Sequence, residues 1–247
     1  MQRRKLEELN LLDDFLFHAM LAYPDTGEAF IRKLLETLFD RKFPHLKIRA
    51  QESFAGVNTD FRGARLDVYI EEDGSAQING DEIPTVYDVE PDHNHKNAEI
   101  KAFPKRARFY HAMIDRRSLK AGEHFGKMKK VYVIFICDYD PFGYDRVLYT
   151  IKNRCLEEPT MPYEDDAETW VLYTRGKKGN ISESLRQLLR YMENTNQNNA
   201  INEDLRDIQQ MVDQVKRDGE VSLRYMKWFE HDQMMYEQGR KDEQENT

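Results

Sequence analysis

The sequence predicts a mixed α/β fold in which a central sheet is flanked by helices. Hydrophobic residues recur first at helical and then at strand spacing, and the segments follow the order helix, three strands, helix, strand. The 247 residues are 40% hydrophobic, which is enough for one packed core of ordinary size with an appendage. Charged residues make up 33% of the chain, so we expect a densely ionic surface.

Two helices are predicted at the start of the chain. Apolar residues recur at helical spacing over residues 12–39, and the turn-forming residues 24–27 divide this stretch. Asp13 and Asp14 stand where side chains cap a first helix. Three strand patterns follow, at residues 46–54, 65–70 and 84–90. Residues 72–75 predict a turn between the last two.

A second helix–strand unit follows the third strand. The polar residues 91–103 predict a loop, and Pro104 then suits the first turn of a helix, where its missing N–H costs nothing. Residues 131–137 are continuously apolar, as in a strand buried on both faces of a sheet. Residues 147–151 and 169–173 predict further strands of the same sheet.

The end of the chain predicts a helical extension. Residues 181–192 form an amphipathic helical pattern, and residues 193–200 are rich in Asn and Gln, as in a linker. We therefore predict a domain at 1–192, a linker at 193–200 and a C-terminal helical extension at 201–247. The extension has an apolar face rich in Met and aromatic residues, which either packs within the chain or forms a homo-oligomer through these helices.

Composition also predicts the cellular compartment of the protein. No apolar run approaches the ~20 residues that cross a bilayer, and the charged N-terminus lacks a signal peptide, so we expect no membrane partner. Cys137 and Cys155 have neither metal-ligand nor redox spacing, which is typical of thiols in a reducing compartment. The expected localisation is cytoplasmic.

Charge is distributed unevenly along the chain. The formal net charge is −8, yet residues 101–130 hold ten Lys and Arg against two acids. A local basic stretch on a helix can bind phosphate whatever the global sum. A solvated helix face explains the same pattern, so both interpretations stay open.

Asp67 and Glu90 are the candidate metal ligands. Each lies in or at the end of a predicted strand, and two carboxylates that converge from neighbouring strands suit a hard cation such as Mg²⁺ or Mn²⁺. Such an ion lowers the pKa of a bound water and stabilises charge on a phosphoryl group. Acidic residues at strand ends are otherwise turn or surface groups.

The order of these segments resembles the PD-(D/E)xK nuclease superfamily. Within it the chain is most similar to the branch of PD-(D/E)xK nuclease family transposases and recombination-promoting nucleases. The resemblance covers most of the chain, and the order of its pieces is specific. The matching pieces are residues 11–17, Arg65-Leu66-Asp67-Val68, Tyr87-Asp88-Val89-Glu90, residues 105–115, residues 132–136, residues 215–218 and residues 225–230.

The resemblance implies both a fold and an activity. It implies a restriction-endonuclease-like α-β-β-β-α-β core within residues 1–192. It also implies Mg²⁺- or Mn²⁺-dependent hydrolysis of DNA phosphodiester bonds, associated with mobile elements or recombination. Asp67 and Glu90 are then the metal ligands. The substrate-binding residues are implied to be Lys105, Arg106, Arg108 and Tyr110 on the helix that follows.

Asp92 departs from the family pattern. The (D/E)xK element reads Glu90-Pro91-Asp92 here, where the superfamily has Lys and this branch often has Gln. A Lys stabilises charge on the phosphorane or positions the attacking water, and a carboxylate does neither electrostatically. Three interpretations stay open. Asp92 is a further catalytic or metal-binding group; one of Lys96, Lys101 and Lys105 reaches the site; or the protein is a catalytically inactive nuclease fold that binds nucleic acid or protein.

Two further polar segments, residues 93–95 and 138–141, follow predicted strands. His93-Asn94-His95 could hold a metal, and their letters match another nuclease class, but no ββα framework or further ligand His follows. We therefore interpret them as a polar loop. Residues 138–141 predict a turn after the buried strand.

Overall fold

The computed structural model describes residues 4–24, 26–50, 53–54, 64–65, 68–78, 81–93 and 96–245. Over these residues the chain forms a mixed α/β structure with a six-stranded mixed sheet flanked by helices, which confirms the predicted fold class at this level. Asp67 lies outside the described residues.

The main helices and strands have the following bounds. The helices are α1 (Asp14–Ala22), α2 (Gly27–Phe39), α3 (Asn97–Ser118), α4 (Glu183–Glu193), α5 (Glu203–Arg217) and α6 (Gly219–Glu245). The strands are β1 (Leu46–Ala50), β2 (Ser53–Phe54), β3 (Ala64–Arg65), β4 (Val68–Ile78), β5 (Asp81–Asp92), β6 (Lys130–Cys137), β7 (Leu148–Ile151) and β8 (Ala167–Tyr173).

The main sheet has the order β1-β4-β5-β6-β8-β7, and β2 pairs with β3 separately. β4 and β5 are antiparallel, whereas β5, β6 and β8 run parallel. Parallel neighbours need a crossover connection, and α3 supplies the one between β5 and β6. The C-terminal ends of β5 and β6 therefore meet at one edge, where Asp92 is paired with Cys137.

The sheet buries a different hydrophobic cluster on each face. Tyr87 and Val89 of β5 pack in the cluster that contains α1 and α2, whereas Val86 packs in the cluster beneath α3. Successive side chains of a strand point to opposite faces. The even-numbered residues of β5 that follow Val86 consequently lie on the α3 face.

The C-terminal helices share the core of the first two. Val212 and Val215 of α5 are fully buried in the same cluster as α1 and α2. The predicted linker contains a 3-10 turn, Gln197–Asn199. Thr195 is also bound to the N-terminal segment, because its Oγ1 accepts a 2.9 Å hydrogen bond from Leu11 N. The division of the chain at 193–200 stays a prediction.

Two element predictions were wrong. α3 begins at Asn97, so Pro104 lies inside the helix and not in its first turn. A proline there removes a backbone hydrogen bond, but the preceding turn is fixed to the sheet by Phe103, which is 1% exposed. The turn predicted at residues 72–75 is instead part of β4, which shifts register between Glu72 and Ala76.

Other predictions were confirmed. The break at residues 24–27 separates α1 from α2, and residues 131–137, 147–151 and 169–173 lie in or beside β6, β7 and β8. Within the described part of the chain, none of the helices combines the length and the apolar character needed to cross a membrane.

Candidate functional site

Three buried carboxylates follow one another on the α3 face of β5. Asp88 is 0% exposed, Glu90 is 7% exposed and Asp92 is 6% exposed. Their partners on β6 are Val133, Phe135 and Cys137, which all belong to the cluster beneath α3. Burying carboxylates in an apolar layer is costly unless they are paired or bind a cation, so this row marks the candidate site.

Asp92 is held by two side chains from different elements. The hydroxyl of Tyr139, just after β6, donates a 2.7 Å hydrogen bond to Asp92 Oδ2. Arg106 Nη2 of α3 donates to the same oxygen. The site thus contains a positively charged side chain, Arg106. It comes from α3 and not from the third position of the (D/E)xK element.

Arg106 is enclosed between α3 and the sheet. Its guanidinium carbon lies 5.3 Å from the ring centre of Phe103 and 5.1 Å from that of Phe135. Burial disfavours its charge, but the adjacent Asp92 carboxylate raises the pKa of Arg106 on balance. Its Nε is buried and has no hydrogen-bond partner among the described residues. A charged donor is therefore left over inside the site.

The other predicted substrate-binding residues divide into two groups. Lys105 and Arg108 are exposed on α3, where they can meet a charged partner. Tyr110 is half-buried, and its ring stacks on Phe135 with centroids 5.9 Å apart. Tyr110 therefore takes part in fixing α3 on the sheet.

His93 joins three elements at the same edge. Its Nδ1 lies 3.1 Å from Asp138 Oδ2, after β6, and its Nε2 lies 3.8 Å from Asp13 Oδ1, before α1. Burial lowers the pKa of His93, but the hydrogen bond and charge of Asp138 and the charge of Asp13 raise it on balance. The residue interpreted as part of a polar loop is thus an ionic link, while Asn94 and His95 lie outside the described residues.

Asp13 differs from its predicted capping role. It occupies the N-cap position of α1, but its side chain accepts no hydrogen bond from the helix. Its carboxylate instead binds both Nη atoms of Arg4, at 2.8 and 2.7 Å, and the backbone N–H of Asn10, at 2.6 Å. These contacts fix the carboxylate beside His93.

Sequence reasoning did not single out Asp88, Asp138 or Tyr139 for the site. Asp88 and Glu90 are two residues apart, so strand alternation was a signal that both share a face. Asp138 and Tyr139 directly follow a buried parallel strand, and ligand sites of open α/β sheets gather at the carboxyl ends of such strands. Their interpretation as a turn left this signal unused.

The described part of the candidate metal site is Glu90, whose carboxylate is the kind of hard donor that Mg²⁺ and Mn²⁺ take. Asp67, its predicted partner, is outside the described residues. Among the residues that the structure does describe, no three or more His, Cys, Asp or Glu side chains form a group suited to a metal ion. Comparisons with protein-family models, with curated proteins and with solved structures found no match.

Proposed function

We propose that the protein is a Mg²⁺- or Mn²⁺-dependent nuclease that hydrolyses DNA phosphodiester bonds on a restriction-endonuclease-like core. One observation carries the proposal. The buried carboxylates Asp88, Glu90 and Asp92 lie in a row on β5, beneath a helix whose exposed side carries Lys105 and Arg108. Buried acids suit a divalent cation, and exposed bases suit the phosphates of a nucleic acid.

The proposed metal ligands are Glu90 and Asp67. The β4–β5 ladder pairs Tyr69 with Asp88. In the sequence, Asp67 comes two residues before Tyr69 and Glu90 two residues after Asp88. When bound between such carboxylates, Mg²⁺ supplies an activated water and charge stabilisation at phosphorus.

Arg106 takes the electrostatic role of the missing Lys in this proposal. Asp92 orients the guanidinium by accepting from Nη2, and Tyr139 fixes the same carboxylate oxygen. Arg106 can then offer its remaining N–H groups to a phosphate oxygen, to which guanidinium binds with defined geometry. Asp92 therefore acts as a positioning residue. This interpretation is favoured over the alternative that Lys96, Lys101 or Lys105 reaches the site, because all three lysines are exposed whereas Arg106 contacts Asp92.

Cleavage of supercoiled plasmid DNA in Mg²⁺ and in Mn²⁺ tests the catalytic part. We expect Glu90→Gln and Asp67→Asn each to slow cleavage by about 100-fold or more, because a lost ligand removes several kcal/mol of stabilisation. Glu203→Gln, on the exposed first turn of α5, is the control for a lost carboxylate and should cleave like the wild type. Unchanged cleavage by folded Glu90→Gln protein would overturn the assignment.

Salt-dependent DNA binding tests the basic face of α3. Lys105→Gln and Arg108→Gln should each weaken binding and lower the slope of log affinity against log salt by about 0.9 if each contacts one phosphate. Lys227→Gln removes the same charge from an exposed position on another helix, α6, and should leave the slope unchanged. Equal slopes for all three variants would place the DNA elsewhere.

A second candidate function is a catalytically inactive nuclease fold that binds nucleic acid or protein. The engagement of Arg106 with Asp92 favours it, because a cation already paired has less to offer a phosphate. DNA binding without cleavage across Mg²⁺, Mn²⁺ and Ca²⁺ would support this function and exclude the first. In this proposal, any role in mobile elements or recombination is an indirect result of DNA cleavage by the protein.

A further inference from the structure

A large cavity lies beside α3, away from the row of carboxylates on β5. It has a volume of about 970 Å³ and is bounded by α3, the turn Phe125–Lys127, the end of β7, residues 152–153 and 164–166, and the start of β8. Ligand cavities span about 300–1,000 Å³, so this one is large enough for a small organic molecule. Neither Glu90 nor Asp92 lines it.

The walls of the cavity are mainly apolar. Phe103 and Ala107 of α3 form its inner side, and Met128, Phe142 and Ile151 come from the segments opposite. Phe125 also lines it, yet its side chain is 79% exposed. Large exposed aromatic rings at the rim of a concave apolar surface are typical of binding sites.

One polar wall comes from the side of α3 that faces β8. His111 Nε2 is 2.9 Å from Thr169 Oγ1, whereas Nδ1 is buried and has no hydrogen-bond partner among the described residues. Burial lowers the pKa of His111 on balance, against the charge of Asp165, and so favours the neutral ring. A neutral imidazole in this wall adds a polar group and no positive charge that would repel a cation.

Acidic side chains outnumber basic ones around this cavity. The lining contains Asp115, Glu164, Asp165 and Asp166, against Arg108 and Lys152. The Lys152 ammonium is already 2.8 Å from Glu168, which does not line the cavity. Burial, and then the charge of Asp165, raise the pKa of Asp115. A bound cation would stabilise the charged form of the Asp115 carboxyl.

We propose that this cavity binds an organic cation, an amine or amidine carried on an aromatic or aliphatic body. The apolar walls accept the body, and the carboxylates around Asp115 and Asp165 accept the positive group. A phosphate or other anion would meet repulsion from the same carboxylates. The two sites share Arg108 but no carboxylate, so cation binding is measured without DNA or Mg²⁺ and does not require the proposed nuclease activity.

Three probes of similar size and different charge test the proposal on the full chain. These are 2-phenylethylammonium, the neutral 2-phenylethanol and the anionic phenylacetate, each titrated by calorimetry at neutral pH. We expect the cation to bind about tenfold or more tightly than the neutral probe, and the anion to bind weakest. Equal affinities for the three probes, or no binding of the cation at millimolar concentration, would overturn the proposal.

Variants locate the binding. Ala112 is exposed and lines the cavity, so Ala112→Trp should fill its mouth and abolish cation binding without disturbing the core. Asp115→Asn should weaken the cation about three- to tenfold and leave the neutral probe unchanged. Glu158→Gln removes one exposed carboxylate outside the lining and should change the affinity of neither probe.

If Ala112→Trp binds the cation as tightly as the wild type, the ligand site is not this cavity. Thermal unfolding of each variant identifies any that fail to fold, and Asp165→Asn then replaces Asp115→Asn.

Discussion

Arg106 on α3 and Asp92 at the end of β5 form an ion pair at the edge where β5 and β6 end side by side. Tyr139 donates to the same carboxylate oxygen at 2.7 Å, so helix, strand and the segment after β6 meet at one side chain. The pair links α3 to the sheet, and in the proposed site it orients the guanidinium.

Asp92→Asn should destabilise the fold, because Arg106 would keep its charge and lose its carboxylate. We expect a loss of about 1.5–3 kcal/mol in the free energy of unfolding, measured with urea. In Asp92→Asn combined with Arg106→Met, the unpaired charge is gone, so the loss should be smaller than the sum of the two single losses. Strict additivity would mean that the two side chains do not interact.

The stability of the fold should fall as pH rises through the titration of His93. The folded pKa of His93 is raised by Asp138, Asp13 and Asp14 against its burial, so the protonated ring stabilises the fold below its ordinary pKa of 6.5. This contribution is lost as pH rises through the higher folded pKa. The difference in unfolding free energy between the wild type and His93→Gln should therefore shrink between pH ~6 and ~8. His231→Gln, exposed on α6, should show no such trend.

The approach of α2 to α1 should not tolerate a side chain at Gly27. A Cβ there would lie 2.2 Å from the carbonyl oxygen of Leu21, which is backbone and cannot move freely. Gly27→Ala should cost about 1–3 kcal/mol of unfolding free energy despite the better helix propensity of Ala. Gly219 is the first residue of α6, and a Cβ there would have nothing within 4 Å. For Gly219→Ala, thermal unfolding should therefore show an unchanged free energy of unfolding, or a gain of about 0.4–1 kcal/mol. Equal losses at both positions would argue against the close approach.

Removing residues 201–247 should prevent cooperative folding, because Val212 and Val215 are fully buried against α1 and α2. A chain shortened to residue 231 keeps α5 and the buried Tyr225, so it should unfold cooperatively, as circular dichroism can show. Light scattering on this shorter chain and the full chain tests the predicted homo-oligomer. Equal numbers of subunits in the two proteins would exclude any contribution from residues 232–247.

The main elements were predictable from local patterns. Residues 131–137 are apolar throughout, because β6 is covered on both faces, and such a run leaves few alternatives to a buried strand. The start of α3 was not predictable in the same way. Pro104 is a strong local signal for a helix start, but α3 begins seven residues earlier, at Asn97. The turn before Pro104 is helical because Phe103 is buried in the cluster beneath α3.

The site was only partly predictable. Glu90 was singled out from its position at the end of a strand, and its burial agrees with a role in the site. The contact of Arg106 with Asp92 could not be found in this way, because it depends on how α3 is rotated over β5. No periodicity within either element records that rotation. His93 illustrates the same limit, since both of its acidic neighbours come from other parts of the chain.

The burial of Cys137 makes the reaction of this thiol a measure of how fast the folded structure opens. This thiol is 0% exposed at the end of β6, and burial raises its pKa well above the ordinary value, so it is inert towards thiol reagents in the folded state. Cys155 is only partly buried and should be modified early. The delay between the two modifications would then measure how fast β5, β6 and α3 separate around Asp92, with no residue added to the chain as a probe.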